Sequence, residues 1–312
     1  MNVDAIAAEH ATRLRDVDPL LPAPARFGPE SPGTVLTAAA AGSAAAGLAS
    51  FAEVAADARD ALWRPLIEHR LKVRLGGPDP AAAMEALLAD WETHLAETVA
   101  SGDWDTAAVV PRPSRDSTGS AELLRHGFAP ARVVAVRPAD RLAAAGPDTT
   151  PGVRIRPAEH DDLATAVRLR LDLERYDAQF GIVTLRANAE QEVTAELAEL
   201  LDADEPTLWI AELYGQPLGI VQVQLPPASG WIEPLVAADR VGYLTALNVA
   251  GEARSTGVGS ALAAHAHQVF DEAGIEAVLL HHALANPRST PFWYAQGYRP
   301  LWTYWYRRPA VR

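Results

Sequence analysis

Residues 170 positions apart in this chain, as Ala107 and Ala277 are, match without a gap, and that repeat constrains the fold more than any composition does. Ala107 to Val110 falls on Ala277 to Leu280, Gly127-Phe128 on Gly297-Tyr298, Pro130 on Pro300, and Arg137 on Arg307. Each copy reads as an apolar strand, a polar loop, a short helix, Gly-aromatic-x-Pro and another strand. The chain is therefore expected to hold two related domains. The segment Ala139 to Gly152, made mostly of Ala, Gly, Pro, Asp and Thr, reads as the linker. The expected division is a domain over 1–138, a linker over 139–152 and a second domain over 153–312.

In the second domain a β-like run, Tyr243 to Val249, leads through Arg254-Ser255-Thr256-Gly257-Val258-Gly259 into a helix-like run, Ala261 to Phe270. A strand that opens through glycines into a helix leaves backbone N–H groups without partners at the positive end of the helix dipole. Those groups make a seat for phosphate. The stretch lacks both the Lys-Ser/Thr of a triphosphate loop and the three-glycine spacing of a dinucleotide fold.

The loop does match the Arg/Gln-x-x-Gly-x-Gly/Ala signature of the GCN5-related N-acetyltransferases (GNAT), and its surroundings resemble that family in order. Upstream, Val153 to Pro157 precedes Asp161-Asp162 and a helical run, and Tyr214-Gly215-Gln216 joins Thr207–Leu213 to Leu218–Leu225 as a hairpin. Downstream come Ala277 to Leu280, His281-His282, Asn286, an aromatic short helix and Gly297-Tyr298. The resemblance implies an α/β fold of the α+β type: two GNAT-like domains, each a mixed, mostly antiparallel sheet flanked by helices, with strand-helix order β-α-α-β-β-β-α-β-α-β-β over 153–312. It also implies an acyl-CoA cosubstrate, most simply acetyl-CoA, and direct attack by a small-molecule amine on the thioester. The layout of a silent and an active half is similar to that of the mycothiol synthases as well.

The two halves differ where the cosubstrate would bind. Pro78-Asp79-Pro80-Ala81-Ala82-Ala83 stands opposite Arg254 to Gly259. Two prolines remove two donors, alanine methyls obstruct close approach, and Asp79 repels a pyrophosphate. Asp79-Pro80 is also an ordinary helix start. The first half is expected to bind no CoA.

Carried over position by position, the resemblance puts the phosphate seat at Arg254, Ser255, Thr256, Gly257, Val258, Gly259 and Ser260. Pantetheine would meet the backbone of Leu247 and Val249, and the CoA arm would meet Asn286 and Ser289. The family's thiolate acid is often a Tyr where this chain has Trp293, so departure of the thiolate falls to Tyr294, Ser289 or water. The carboxylate base of the fourth strand is absent, since Tyr243 to Leu247 holds no acid. His281 and His282 end the fifth strand, where side chains alternate between faces; one of them, with His281 favoured, is the candidate base. The acceptor is expected to meet Glu174, Tyr176, Asp177, Tyr243, Thr245, His282 and Tyr304. His265 and His267 read as surface residues of the helix after the loop, and no set of side chains has metal-ligand spacing.

A net charge of −13, spread over both halves, argues against nucleic acid as a partner. No apolar run reaches membrane-spanning length, and the chain contains no cysteine, which removes disulfides and thiol chemistry. A cytoplasmic monomer or homodimer is expected. The competing class is a non-catalytic acyl-CoA-binding or scaffold protein, prompted by the missing Tyr and carboxylate.

Overall fold

The computed structural model describes residues 3–25, 27, 31–139 and 150–312. The first half holds helix α1 (Val3–Val17), strands β1 (Thr34–Ala40), β2 (Ser43–Glu53) and β3 (Ile67–Gly76), helix α2 (Pro80–Thr98), strand β4 (Thr106–Pro113), helix α3 (Ser120–Arg125) and strand β5 (Ala129–Pro138). Then follow β6 (Val153–Pro157), α4 (Leu163–Asp177), α5 (Ala189–Leu201), β7 (Leu208–Leu213), β8 (Gln216–Gln224) and β9 (Val241–Val249). The chain closes with α6 (Val258–Glu272), β10 (Ala277–Ala283), α7 (Ser289–Ala295) and β11 (Arg299–Arg307). Among the described residues no helix is long and apolar enough to cross a membrane.

Two compact units emerge: Met1–Ala56 with Trp63–Val133 and Pro300–Arg312, and Asp57–Leu62 with Val134–Arg299. Most of the expected linker, residues 140–149, lies outside the described residues. The order expected over 153–312 ended on two strands; one, β11, is found, and it belongs to the first unit. Its side chains account for this. Trp305, with Ala310 just beyond, joins Leu71, Trp91 and Phe128 in that unit's core, and the Tyr306 hydroxyl donates to Glu68 Oε1 at 2.9 Å.

In the first unit β1, β2 and β3 are antiparallel neighbours, β3 and β4 run parallel, and β4 pairs antiparallel with β11. Helix α2 lies on this sheet through Met84, Leu87, Leu88, Trp91 and Leu95, spaced at three and four residues so that one stripe is apolar. In the second unit β6, β7, β8 and β9 are antiparallel neighbours, and β9 then runs parallel to β10. The hairpin turn falls at Tyr214 (φ 51°) and Gly215 (φ 82°), as the sequence suggested.

The repeat is structural. In both copies the short helix ends on a left-handed glycine, Gly127 (φ 75°) and Gly297 (φ 86°). The following amide, Phe128 or Tyr298, then reaches back to Leu123 O at 2.9 Å or Trp293 O at 3.1 Å. The parallel pairs also correspond, ending at Arg70 opposite Val109 in one unit and at Tyr243 opposite Leu279 in the other. Past those points the registers stop although the strands continue, so β9 carries Leu244 to Val249 beyond its last pairing with β10.

Candidate functional site

Past Tyr243, β9 pairs only with β8, down to Val249 opposite Gly219. Between Gln222 and Val223 the register slips, which leaves Thr245 as the extra residue of a bulge. Its hydroxyl is buried and has no partner. Leu247 and Val249, the residues expected to meet pantetheine, thus lie on the part of β9 beyond its last pair with β10.

After Val249 the chain makes a 3-10 turn over Gly251–Ala253, and Ser255 (φ 63°) and Gly257 (φ 91°) turn it into α6. Gly257 is the N-cap, no side chain caps the helix, and its first turn holds no acid. The amides of Val258, Gly259 and Ser260 therefore have no intrahelical carbonyl to bond, at the positive end of a 15-residue helix. Val258 is fully buried and anchors the turn. The loop supports itself elsewhere: Thr256 Oγ1 donates to Ala253 O at 2.7 Å, and Arg254 Nε donates to Val249 O at 3.3 Å. A Cβ at Gly257 would sit 2.8 Å from Thr150 Cγ2, in addition to its positive φ, so the fold demands glycine there. A Cβ at Gly259 would meet Phe292 at an ordinary 3.5 Å, so the fold does not demand the second one.

The matching corner of the first unit is closed. Glu9 Oε2 accepts from Gly77 N at 2.7 Å, Ser43 Oγ accepts from Asp79 N at 2.6 Å, and Asp79 Oδ1 accepts from Ala82 N at 3.1 Å. Pro78 and Pro80 have no N–H to offer. Glu9, Ser43 and Asp79 thus take up the backbone donors of this corner.

The two adjacent histidines part company as alternation predicts. His281 is half-buried; its Nδ1 lies 2.9 Å from the Tyr243 hydroxyl, and its ring stacks beside Trp231 (centroids 6.1 Å apart, 10° between planes). His282 is buried against α7, where its Nδ1 meets Ala283 O at 3.2 Å and its ring meets Tyr294 edge-on at 5.8 Å. Burial lowers the His282 pKa, and its Nε2 has no partner. Tyr294 is 37% exposed, whereas Trp293 is packed against Phe292 and Tyr298. Ser289 keeps a buried hydroxyl without a partner.

Asn286 is spent on architecture: Oδ1 accepts from Arg288 N at 2.9 Å and Ser289 N at 3.1 Å, and Nδ2 donates to Asp177 Oδ1 at 2.9 Å. It clasps the start of α7 to the end of α4. Tyr176 beside it lies under Arg288, 4.3 Å from the guanidinium carbon to the ring centre. Glu174 is wholly buried and bound to Arg170 Nε at 3.2 Å. Tyr304 stands in the first unit, opposite Pro111.

His265 and His267 correct the expectation of surface positions. His265 is partly buried edge-on against Trp209, and His267 is buried with Nε2 3.2 Å from the Tyr298 hydroxyl. The apolar face of α6 is wide enough to take them in, and burial with nearby Arg137 pushes His267 down to about pKa 3. The sequence reading also missed Trp231, the ring beside His281. It belongs to no periodic segment, and its only signal is a lone tryptophan in the long loop between two strands.

Burial pushes the Glu174 carboxyl up to about 7 and the Asp177 carboxyl up to about 6. Both bind a proton more tightly folded than unfolded, so the stability they confer is full below the ordinary carboxyl range and is lost as pH rises through 6 to 7. Glu174→Gln keeps an oxygen for Arg170 and removes the ionisation. Urea unfolding at pH 8 should show this variant about 2–3 kcal/mol more stable than the parent, with the difference gone by pH 4. Equal stability at both pH values would mean that Glu174 titrates normally.

Residues 174–298 match the family model described as acetyltransferase (GNAT) family. A GCN5-related N-acetyltransferase from Sphaerobacter thermophilus superposes with a TM-score of 0.53 at 12% identity, covering 86% of this chain and 78% of that one. A GCN5-related glucosamine N-acetyltransferase region of a fungal multi-domain β-N-acetylglucosaminidase gives a TM-score of 0.54 at 12% identity, covering 98% of this chain and 37% of that one. At such identities these likenesses concern the fold. A search of the curated proteins finds no match.

Proposed function

We propose, from the premise that residues 174–298 form a GNAT acetyltransferase domain, that the chain is an acyl-CoA-dependent N-acyltransferase with one working site, in the second unit. The contrast between the two helix starts carries this reading. The start of α6 has no capping side chain, whereas in the turn into α2 the amides of Gly77, Asp79 and Ala82 are taken by Glu9, Ser43 and Asp79.

In this reading the turn from Arg254 to Ser260 holds the pyrophosphate, and acetyl-CoA supplies an activated acyl group on sulfur. The open edge of β9 at Leu247 to Val249 takes the pantetheine as an added strand, its amides polarising the acyl carbonyl. The acceptor ammonium comes in beside Tyr243 and gives its proton to the His281 imidazole, whose Nδ1 lies 2.9 Å from the Tyr243 hydroxyl. The freed amine nitrogen attacks the carbonyl carbon, the C–S bond breaks, and the thiolate takes a proton from water or from the Tyr294 hydroxyl, with Ser289 Oγ nearby on the same short helix.

Calorimetry tests the core of the proposal. One molecule of CoA should bind per chain, and Gly257→Asp should remove that binding. Two equivalent sites, or none, would overturn it. Hydrolysis or transfer of the acetyl group with and without a panel of amines separates the enzyme from a CoA-binding scaffold.

A further inference from the structure

Trp231 is 55% exposed, and its surroundings fix it there. Its neighbours Ser229 and Ile232 are fully buried, and Ser229 Oγ donates to Val241 O at 2.7 Å, tying the loop to the first residue of β9. At the outer end, the indole N–H donates to Gln224 Oε1 at 2.8 Å, and Gln224 is the β8 partner of Tyr243. Its ring meets Tyr243 edge-on at 4.8 Å and lies parallel to His281 at 6.1 Å. A single exposed apolar residue is ordinary. An indole held at both ends, with an open face beside a candidate base, is a preset platform, because little side-chain entropy remains to be lost when a ligand lands on it.

We infer that Trp231 is the acceptor platform, and that the acceptor is a primary amine attached to, or a short arm away from, a ring with a flat apolar face. The inference rests on the acyl-transfer reading of the same site. The geometry sets the length. The imidazole and indole centres are 6.1 Å apart, so an amine beside the His281 ring lies close to a body seated on the indole. That allows roughly one to three bonds between nitrogen and ring. The ring then stacks on the indole, and the ammonium gains from the electron-rich face of Trp231 before it loses its proton. A flexible linear amine can use the second effect but not the first. Aromatic rings and the C–H faces of amino sugars share this chemistry.

The test is acetyl transfer to 2-phenylethylamine, glucosamine and n-hexylamine by the full chain, its Trp231→Ala variant and its Trp231→Phe variant. The two ring amines are expected to have lower KM than n-hexylamine. Trp231→Ala should raise the KM of the preferred ring amine about tenfold and that of n-hexylamine less than about twofold, with the acetyl-CoA KM unchanged. Trp231→Phe should restore most of the loss. The ring amine with the larger Trp231→Ala effect identifies the source, aromatic or sugar. Equal effects on ring and linear amines, no effect of Trp231→Ala, or no transfer to either ring amine would overturn the inference. CoA calorimetry on the same samples keeps the two ideas apart: CoA bound without ring-amine transfer defeats only the platform, and no CoA bound defeats the acyltransferase reading too.

Discussion

Replacing His281 with alanine is expected to lower turnover by about 10²–10⁴-fold, the range for loss of a general base, with little change in CoA affinity. The expectation rests on position. His281 lies two residues past the last parallel pair of β9 and β10, on the side of Tyr243 and Trp231, with Nδ1 2.9 Å from the Tyr243 hydroxyl. Part of the lost rate should return at higher pH, where more of the acceptor amine is neutral without help. His282→Ala should do much less to the pH profile, because that ring packs on Thr290 and Tyr294 of α7. Steady-state rates from pH 6 to 10 decide the matter. Equal, small losses for both variants would assign the proton to ordered water, and a large loss for His282 alone would put the acceptor on the other face.

The second large effect concerns Gly259. An aspartate there fits the fold, since the added Cβ meets only ordinary contacts and an acid in the first turn of a helix is favourable by about 0.3–1 kcal/mol. The same charge would stand against the pyrophosphate. Gly259→Asp should therefore keep or slightly raise thermal stability while weakening CoA by roughly 100-fold or more. Gly257→Asp should lose CoA as well, but with a stability cost, because Gly257 combines a φ of 91° with the close approach of Thr150. Thermal melts and CoA calorimetry of the pair separate the two roles of glycine. A Gly259→Asp chain that binds CoA normally would place the phosphate elsewhere.

Much of the frame is legible in the sequence because glycine and proline carry backbone demands that survive divergence. Gly127 and Gly297 mark the same left-handed helix end 170 positions apart, and Asp79-Pro80 announces the start of α2. The turn at Gly257 into α6 is legible for the same reason. What is hidden depends on tertiary partners. Asn286 can serve a ligand or a clasp, and only the nearness of Asp177 decides. His265 and His267 look like surface residues until the breadth of the buried face of α6 is known. Trp231 owes its setting to Gln224 at the end of β8 and His281 on β10, which only the fold brings to it. The fate of β11 is unreadable from its own alternation, which suits a strand in either unit.

Membership of β11 in the first unit has a consequence for how the chain comes into being. Residues 300–312 are synthesised after all of 134–299, yet β4 needs them as a neighbour and Trp91 and Phe128 need Trp305. At ordinary elongation rates that is a delay on the order of ten seconds or more. The unit translated first is thus completed last, and the second unit can assemble while its predecessor waits with an open strand edge. Order of birth and order of completion run in opposite directions along this polypeptide.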